Sequence, residues 1–524
     1  MAVSSALGAD ARRISRRIES DSTDVTRALM DDQNSTVVFE DLNGGKAAGN
    51  LFSTRERIAA ALGVPKEGIV RHLMDAVSSP RPCEISDDPG FRACGGEPRL
   101  MSLPVPRYFP EDGGRYITAG VIVAELDGRK NVSFHRMMLM DDRRIAVRLV
   151  PRHLFTLYNE AKASGRELKV SVCVGACIEV LLAAATSMDF GADELEVASA
   201  MYEKGHGTPL KVGRCDNGIL VPAECDYVFE ARITMNEAKE GPFVDITGTY
   251  DFERSQPVIE VDKVWTRKDP VFHLLLPGGY EHYLLMGLPR EPMIFKTVRQ
   301  AVPRVRNVRL TEGGCCWLNG VVSIAKNKEG DGVNAIMAAF TGHPSMKQVI
   351  VVDDDIDIFD DREVEWAVAT RMQADRILMI PGAAGSSLDP SSHGKTTWKV
   401  GYDATIPLDA DRSLFERARL DRTPNTLTTP TTSGEREDGR DKTGEEPPQV
   451  VLRMQSAYTG VQEVPCVREC NRRGPADPAG GREAGVQPRP RADQGDIGQG
   501  LRRGRRGFRD PGRPSRDPQQ GPRP

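Results

Sequence analysis

The 524-residue sequence has no run of about 18 apolar residues, so no segment reads as a transmembrane helix. Its N-terminus, MAVSSALGADARRISRRIESD, lacks the apolar core of a secretory signal and reads as a frayed tail or a first amphipathic helix. A soluble, cytoplasmic protein is therefore expected. None of the ten cysteines falls in a Cys-x-x-Cys pair. Cys173 and Cys177 supply half of a zinc pattern at most, and Cys315 and Cys316 are adjacent, so the set reads as buried, reduced thiols. PGAAGSS (residues 381–387) follows a strand but has neither G-x-G-x-x-G nor the P-loop lysine spacing, which argues against independent nucleotide binding. No internal repeat is evident. The last 54 residues contain no lysine, although they hold 13 arginines, 11 glycines and 9 prolines. With 6 acids the stretch carries about +7 and cannot bury a core, so it reads as disordered. Its one aromatic, Phe508, gives no stacking platform, which makes nucleic-acid binding a poor fit. A dispensable extension and a GC-rich stretch read out of frame both suit this composition.

The remainder is built to fold. Hydrophobic residues make up 39% of the chain, and the length predicts two or three domains. Residues 1–110 read as a small α/β unit, in which Ser53-Thr54-Arg55-Glu56 opens a helix that ends at Gly63. Residues 111–315 are rich in strands. RYITAGVIVAEL and NVSFHRMMLM are split by Asp127-Gly128, a hairpin signal, and Asp193 opens a later helix. In residues 316–420, KQVIVVDDD, a helix from REVEWAVATRMQ and a buried strand from RILMIPG suggest a parallel strand–helix–strand unit. Residues 421–524 form the polar linker and tail.

The chemistry centres on Glu240-Gly241-Pro242-Phe243-Val244-Asp245. Two acids five residues apart on a stiff Gly-Pro segment suit general acid–base work. A turn with solvated acids accounts for the same pattern. Asn131 and Arg136 read as lying on one strand and on opposite faces of it, so a joint site needs a bulge. Asn131, His153 and Glu194 offer an amide oxygen, an imidazole and a carboxylate, a donor set suited to Mn²⁺ or Mg²⁺, although such residues are mostly structural. The run Asp353-Asp354-Asp355 with Asp357 reads more easily as helix capping than as a metal cluster.

The order of these motifs (Asn131-x₄-Arg136, His153, Asp193-Glu194, EGPFVD, VVDDDIDIFDDREVEWAVATR, PGAAGSSLDP and Lys399 in WKVGYDAT) resembles the UbiD-type decarboxylases over residues 30–420. The resemblance implies an α+β and α/β architecture. A central flavin-binding mixed sheet, split-barrel-like, would stand between a small N-terminal α/β unit and a C-terminal α/β oligomerisation domain. It implies a carboxy-lyase that uses prenylated FMN, with Arg136, Glu240 and Asp245 as the catalytic network. Arg136 would hold the substrate carboxylate and Asp245 would protonate the carbon that loses CO₂. The shorter Asp245, where some relatives have Glu, leaves the proton-transfer geometry open. Asn131, His153 and Glu194 would bind Mn²⁺ (or Mg²⁺) at the flavin phosphate. Thr186, Ser187 and Met188, with a K⁺ ion, and Lys399 would contact the same phosphate. Within the family, VDITGTYDFERSQPVIEVDKVW, LLPGGYEHYLLMGLPREP and VRLTEGGCCWLNGVV look like the archaeal anhydromevalonate phosphate decarboxylases of isoprenoid biosynthesis. A small phosphorylated alkenoic acid would then be the substrate, with His282 and Arg290 as candidates for its phosphate. An aromatic acid such as polyprenyl-4-hydroxybenzoate is the alternative substrate. Partners implied are a flavin prenyltransferase that supplies the cofactor and further copies of the chain, as a dimer or hexamer.

Overall fold

The computed structural model describes residues 7–8, 10–392 and 396–418. The tail expected over 421–524 lies outside them. No described helix is long and apolar enough to cross a membrane.

The N-terminal helices follow local rules. Thr54 accepts the Arg57 N–H to cap Arg55–Leu62, and Gly63, at φ 68°, closes that helix by donating to Ala59 and Ala60. Strands Arg12–Ile14, Val37–Leu42 and Gly45–Gly49 form a small sheet whose fourth member, Phe272–Leu274, comes from over two hundred residues later. It pairs in parallel with Gly45–Gly49, so this sheet is completed by the central part of the chain.

The central sheet has nine strands, and every pairing in it is antiparallel. Its spine is the pair Tyr227–Glu240 and Arg254–Thr266. Asp127 and Gly128, both at positive φ, make the turn between Val121–Leu126 and Arg129–Phe134 where the sequence predicts it. NVSFHRMMLM, read as one strand, is two. Arg129–Phe134 pairs with Val121–Leu126, and the chain then changes partners, so that Met137–Leu139 pairs with Tyr116–Ile117 and Arg144–Val147. The break falls at His135-Arg136. The half-buried His135 ring fixes it, with Nε2 at 2.9 Å from Ser133 Oγ and Nδ1 at 3.0 Å from the Arg148 carbonyl. Arg136 therefore sits at a corner, not on the far face of Asn131's strand.

The C-terminal sheet runs Val305–Leu310, Asn319–Ile324, Gln348–Asp353, Thr396–Ala404, Ile377–Ala384. Gln348–Asp353 pairs in parallel with Asn319–Ile324 on one side and with Thr396–Ala404 on the other, and helix Asp331–Gly342 links the first of these pairs. Ile377–Ala384, expected to be a buried parallel strand, is a half-exposed edge strand antiparallel to Thr396–Ala404. Its apolar letters mislead because only one edge of it is covered. The acidic run is structural: Arg371 pairs with Asp353 at 3.0 Å and Asp355 at 2.7 Å, and Asp360 caps helix Asp361–Arg371. The eight cysteines among the described residues are free, and Cys94 is exposed where burial was expected.

One apolar cluster joins all three parts, running from Leu62 and Ile69 through Leu181 and Leu182 to Val298, Ile324 and Val349. A second fills the space between the N-terminal and central sheets, around Phe39, Tyr108 and Phe229.

Candidate active site

Glu240 is the last residue of the strand Tyr227–Glu240 and is completely buried. Gly241 follows at φ 98°, and the Gly241–Pro242 peptide is cis. A Cβ at Gly241 would stand 2.9 Å from the Phe252 carbonyl oxygen, so only glycine fits this corner. The hairpin Phe243–Val244 with Tyr250–Asp251 then carries Asp245 near its tip.

Arg136 meets this hairpin from the strand break. Its Nε donates to Glu240 Oε1 at 2.9 Å and its Nη2 to Oε2 at 3.0 Å, a two-pronged pair. Nη2 also donates to Asp251 Oδ2 at 3.0 Å, while Nη1 lies 3.5 Å from Asp245 Oδ2. Burial works against the charge on Arg136, but Glu240, Asp251 and Asp245 outweigh it and hold the guanidinium above its ordinary pKa. Tyr116 completes the floor. Its hydroxyl donates to Glu240 Oε1 and accepts from the Gly241 N–H, both at 3.1 Å. The Phe243 ring lies 5.1 Å from the Arg136 guanidinium and 4.2 Å from the Tyr116 ring.

The structure thus brings Arg136, Glu240 and Asp245 together and adds a residue that the sequence reading missed. Asp251 is gripped by Arg254 through both carboxylate oxygens at 2.7 Å, with Arg148 at 3.9 Å. Burial raises the Asp251 pKa, and the facing arginines more than reverse that. The signal was local: Asp251 and Arg254 stand three residues apart inside the TGTYDFER stretch. Three carboxylates therefore face three guanidiniums.

Asp112 steadies the hairpin from behind. It is buried, accepts the Phe109 N–H at 2.8 Å, and is followed by Gly113, whose N–H donates to the Pro242 carbonyl at 2.8 Å. Burial pushes its carboxyl up from 3.8 to about 6. The folded chain therefore holds this proton over the window between about pH 4 and pH 6 where the unfolded chain releases it. Stability from this group is largest below that window and falls as pH rises through it. The Asp112→Asn chain should gain on wild type by up to ~3 kcal/mol in urea unfolding between pH 4 and pH 7. A difference that stays constant across this range contradicts the assignment.

His282 and Arg290, paired in the sequence reading, part company. His282 Nδ1 accepts the Gly278 N–H at 3.1 Å, and its ring feels the charge of Asp245. Burial lowers its pKa, and Asp245 opposes that. Arg290 instead reaches Ser187.

Asn131 and Glu194 touch directly. Asn131 Nδ2 donates to Glu194 Oε1 at 3.0 Å and the Val132 N–H to Oε2 at 2.9 Å. Glu194 heads the helix Glu194–His206, which Asp193 caps through the Leu195 N–H. Burial pushes Glu194 up to about 7. A buried carboxylate with only neutral donors around it suits a cation. His153 heads the helix His153–Ala163 with its ring edge-on to Phe190 at 5.3 Å. Among the described residues no three His, Cys, Asp or Glu side chains converge as a metal site. Thr186 ends the helix Ile178–Ala185 and donates to the Leu182 carbonyl at 2.8 Å. Met188 lines a cleft of about 340 Å³ beside Lys130 and Asp193. Lys399 is buried in the C-terminal sheet. Its ammonium donates to the Pro344 and Met346 carbonyls, and burial lowers its pKa. Two of its three N–H groups are thus committed, and one remains.

The chain matches three family models: the 3-octaprenyl-4-hydroxybenzoate carboxy-lyase N-terminal domain over residues 10–77, its Rift-related domain over 86–280 and its C-terminal domain over 283–404. It is 45% identical over 403 residues to the anhydromevalonate phosphate decarboxylase of Methanocaldococcus jannaschii, covering 76% of this chain and 94% of that protein. The UbiD-class enzyme HmfF from Pelotomaculum thermopropionicum, solved in complex with FMN, superposes with a TM-score of 0.75 at 38% identity, covering 79% of this chain and 94% of HmfF. An evolved dimeric form of HmfF in complex with prFMN superposes at 0.73 and 34%, covering 80% and 97%.

Proposed function

The chain belongs to the UbiD family of carboxy-lyases, and on that premise we propose that it converts trans-anhydromevalonate 5-phosphate to isopentenyl phosphate and CO₂ with prenylated FMN. The observation that carries this reading is the Arg136 cluster, in which a half-buried guanidinium binds Glu240 with two prongs and turns Nη1, which makes no hydrogen bond, toward Asp245 at 3.5 Å. The named relative, matched over 94% of its length, supports the substrate.

Nε and Nη2 of Arg136 are spent on Glu240 and Asp251, so Nη1 is the donor that can receive a substrate carboxylate. Glu240 is buried and fixed by Tyr116 as well as Arg136, so its role is to aim the guanidinium. Asp245 is the more exposed acid, with 28% of its side chain accessible, and stands 3.5 Å from Nη1. It is the group placed to protonate the carbon left when CO₂ departs. Loss of CO₂ from an alkenoic acid leaves an electron pair that no side chain can delocalise, and prenylated FMN supplies that electron sink when bound. Glu194 and Asn131 would hold a divalent ion, Mn²⁺ or Mg²⁺, and His153 would be a third ligand to it. Thr186, Ser187, Met188 and Lys399 would contact the flavin phosphate, and the segment Thr186 to Met188 would also take a K⁺ ion. A flavin prenyltransferase would supply the cofactor, and the chain would act in the cytoplasm as a dimer or hexamer.

The test is competition. The chain, co-produced with a flavin prenyltransferase, is given trans-anhydromevalonate 5-phosphate and 4-hydroxybenzoate together. Isopentenyl phosphate is expected and phenol is not; phenol without isopentenyl phosphate overturns the substrate.

A further inference from the structure

Arg148 is the guanidinium of the catalytic corner that lacks an acid of its own. The ladder between Arg144–Val147 and Met137–Leu139 sets Val147 opposite Met137. One step further, the Arg148 N–H donates to the Arg136 carbonyl at 3.1 Å, and the Arg148 carbonyl lies 3.0 Å from His135 Nδ1. Arg136 and Arg148 are therefore cross-strand neighbours. Residues so placed have their Cβ atoms about 5 Å apart on one face, and like charges there repel.

Asp251 is the acid between them, and its oxygens are already taken. A carboxylate has room for about four hydrogen bonds. Oδ1 accepts from the Phe252 N–H at 2.9 Å and from Arg254 Nη2 at 2.7 Å, while Oδ2 accepts from Arg254 Nη1 at 2.7 Å and from Arg136 Nη2 at 3.0 Å. Arg148 Nε comes no nearer to Oδ2 than 3.9 Å, which is outside hydrogen-bond range. Among the described residues Asp251 is the one carboxylate within 4.0 Å of Arg148. Arg148 Nη1 donates to the Leu149 carbonyl at 3.1 Å. That leaves Nε and Nη2 without a hydrogen bond, and they form the fork that matches two oxygens of an anion. The side chain is half-buried, so its charge is costly as well as reachable. Burial, Arg254 and Arg136 together lower its pKa.

We propose that Arg148 seats a second anionic group of the substrate, a phosphate monoester, while Arg136 Nη1 takes the carboxylate. This rests on the proposed function and names the residue that makes its site selective for a phosphorylated acid. An acid with a carboxylate alone would occupy Arg136 and leave the Arg148 fork empty. A phosphate monoester brings close to two charges and enough oxygens to fill it. His282 and Arg290, the candidates read from the sequence, already bond Gly278 and Ser187. Arg148 has its fork free and is tied through the backbone to the residue that holds the carboxylate.

The product of the proposed reaction keeps the phosphate and has lost the carboxylate, so its binding reports this seat alone. Isopentenyl phosphate and isopentenol are titrated separately into the flavin-loaded wild type and Arg148→Gln. One charge-assisted hydrogen bond corresponds to roughly a tenfold or greater loss. Arg148→Gln should weaken isopentenyl phosphate by at least that factor and leave isopentenol unchanged. The variant relieves a like-charge pair, so its melting midpoint should equal or exceed that of wild type, which loss of a merely structural arginine would not give. Arg148→Lys keeps the charge without the fork and should fall between the two; it carries the test if Arg148→Gln does not fold. Equal binding of isopentenyl phosphate by wild type and folded variants overturns the proposal. So does equal weakening of phosphate and alcohol, or a wild type with no preference for the phosphate. Turnover of trans-anhydromevalonate 5-phosphate by wild type is measured in parallel. Its absence overturns the proposed function alone, and the titrations then decide the role of Arg148 by the same outcomes.

Discussion

Replacing Arg136 with alanine should lower turnover by at least ~10³-fold, the loss typical of removing a preorganised charge from an active site. The reasoning is geometric. The substrate carboxylate loses Nη1, the one nitrogen of that guanidinium that makes no hydrogen bond, and Glu240 loses both prongs. Glu240 is fully buried, so the variant also carries an uncompensated carboxylate and should lose about 3–5 kcal/mol of stability. Arg136→Lys separates the two effects. It keeps a positive charge near Glu240 but cannot make the Nε and Nη2 pair together, so it should recover stability more than activity. Flavin content is measured alongside. Activity of Arg136→Ala within tenfold of wild type, at equal flavin loading, contradicts the role given to Arg136.

Arg55→Ala should destabilise the whole chain by a similar ~3–5 kcal/mol without touching the chemistry. Arg55 lies in the N-terminal helix Arg55–Leu62, yet its guanidinium reaches Glu291 at 2.6 and 3.1 Å, Glu312 at 3.3 Å and the Leu310 carbonyl at 3.0 Å. Glu291 is itself fully buried and also accepts the Leu310 N–H at 2.7 Å. Removing the arginine strands that carboxylate between the first and last parts of the fold. Urea unfolding should show a lower midpoint, and Arg55→Met combined with Glu291→Leu should restore much of the loss because neither charge is then left alone. A midpoint unchanged in Arg55→Ala contradicts the account.

The two arginines also mark where sequence reading succeeds and where it stops. Features that depend on neighbours along the chain were legible. Asp127-Gly128 makes its hairpin, Thr54 and Gly63 bound their helix, and Asp193 caps the helix that presents Glu194. The ordered motifs also named Arg136, Glu240 and Asp245, and the fold brings both acids within 3.5 Å of the Arg136 guanidinium. Features that depend on a change of partner were not. Nothing in NVSFHRMMLM announces that its second half pairs with other strands, because both halves carry the same β-branched and apolar letters. Glu240 read as part of a turn, although it ends a 14-residue strand whose polar stretch Asn236–Lys239 hid the continuation. Asp251 was missed for a different reason: its local pairing with Arg254 was visible, but its place in the site comes from a contact with a residue 115 positions away. Arg55 and Glu291, 236 positions apart, are the same case.

The division of labour between Glu240 and Asp245 is the centre of the account. It is tested most directly in one measurement, single-turnover formation of isopentenyl phosphate by the flavin-loaded Asp245→Asn chain. The amide keeps the size of the side chain and, with Arg136 still held by Glu240, leaves the carboxylate anchor in place. Flavin and substrate should bind as in wild type while isopentenyl phosphate fails to appear. Wild-type yield and rate from Asp245→Asn would contradict the assignment of Asp245 as the acid.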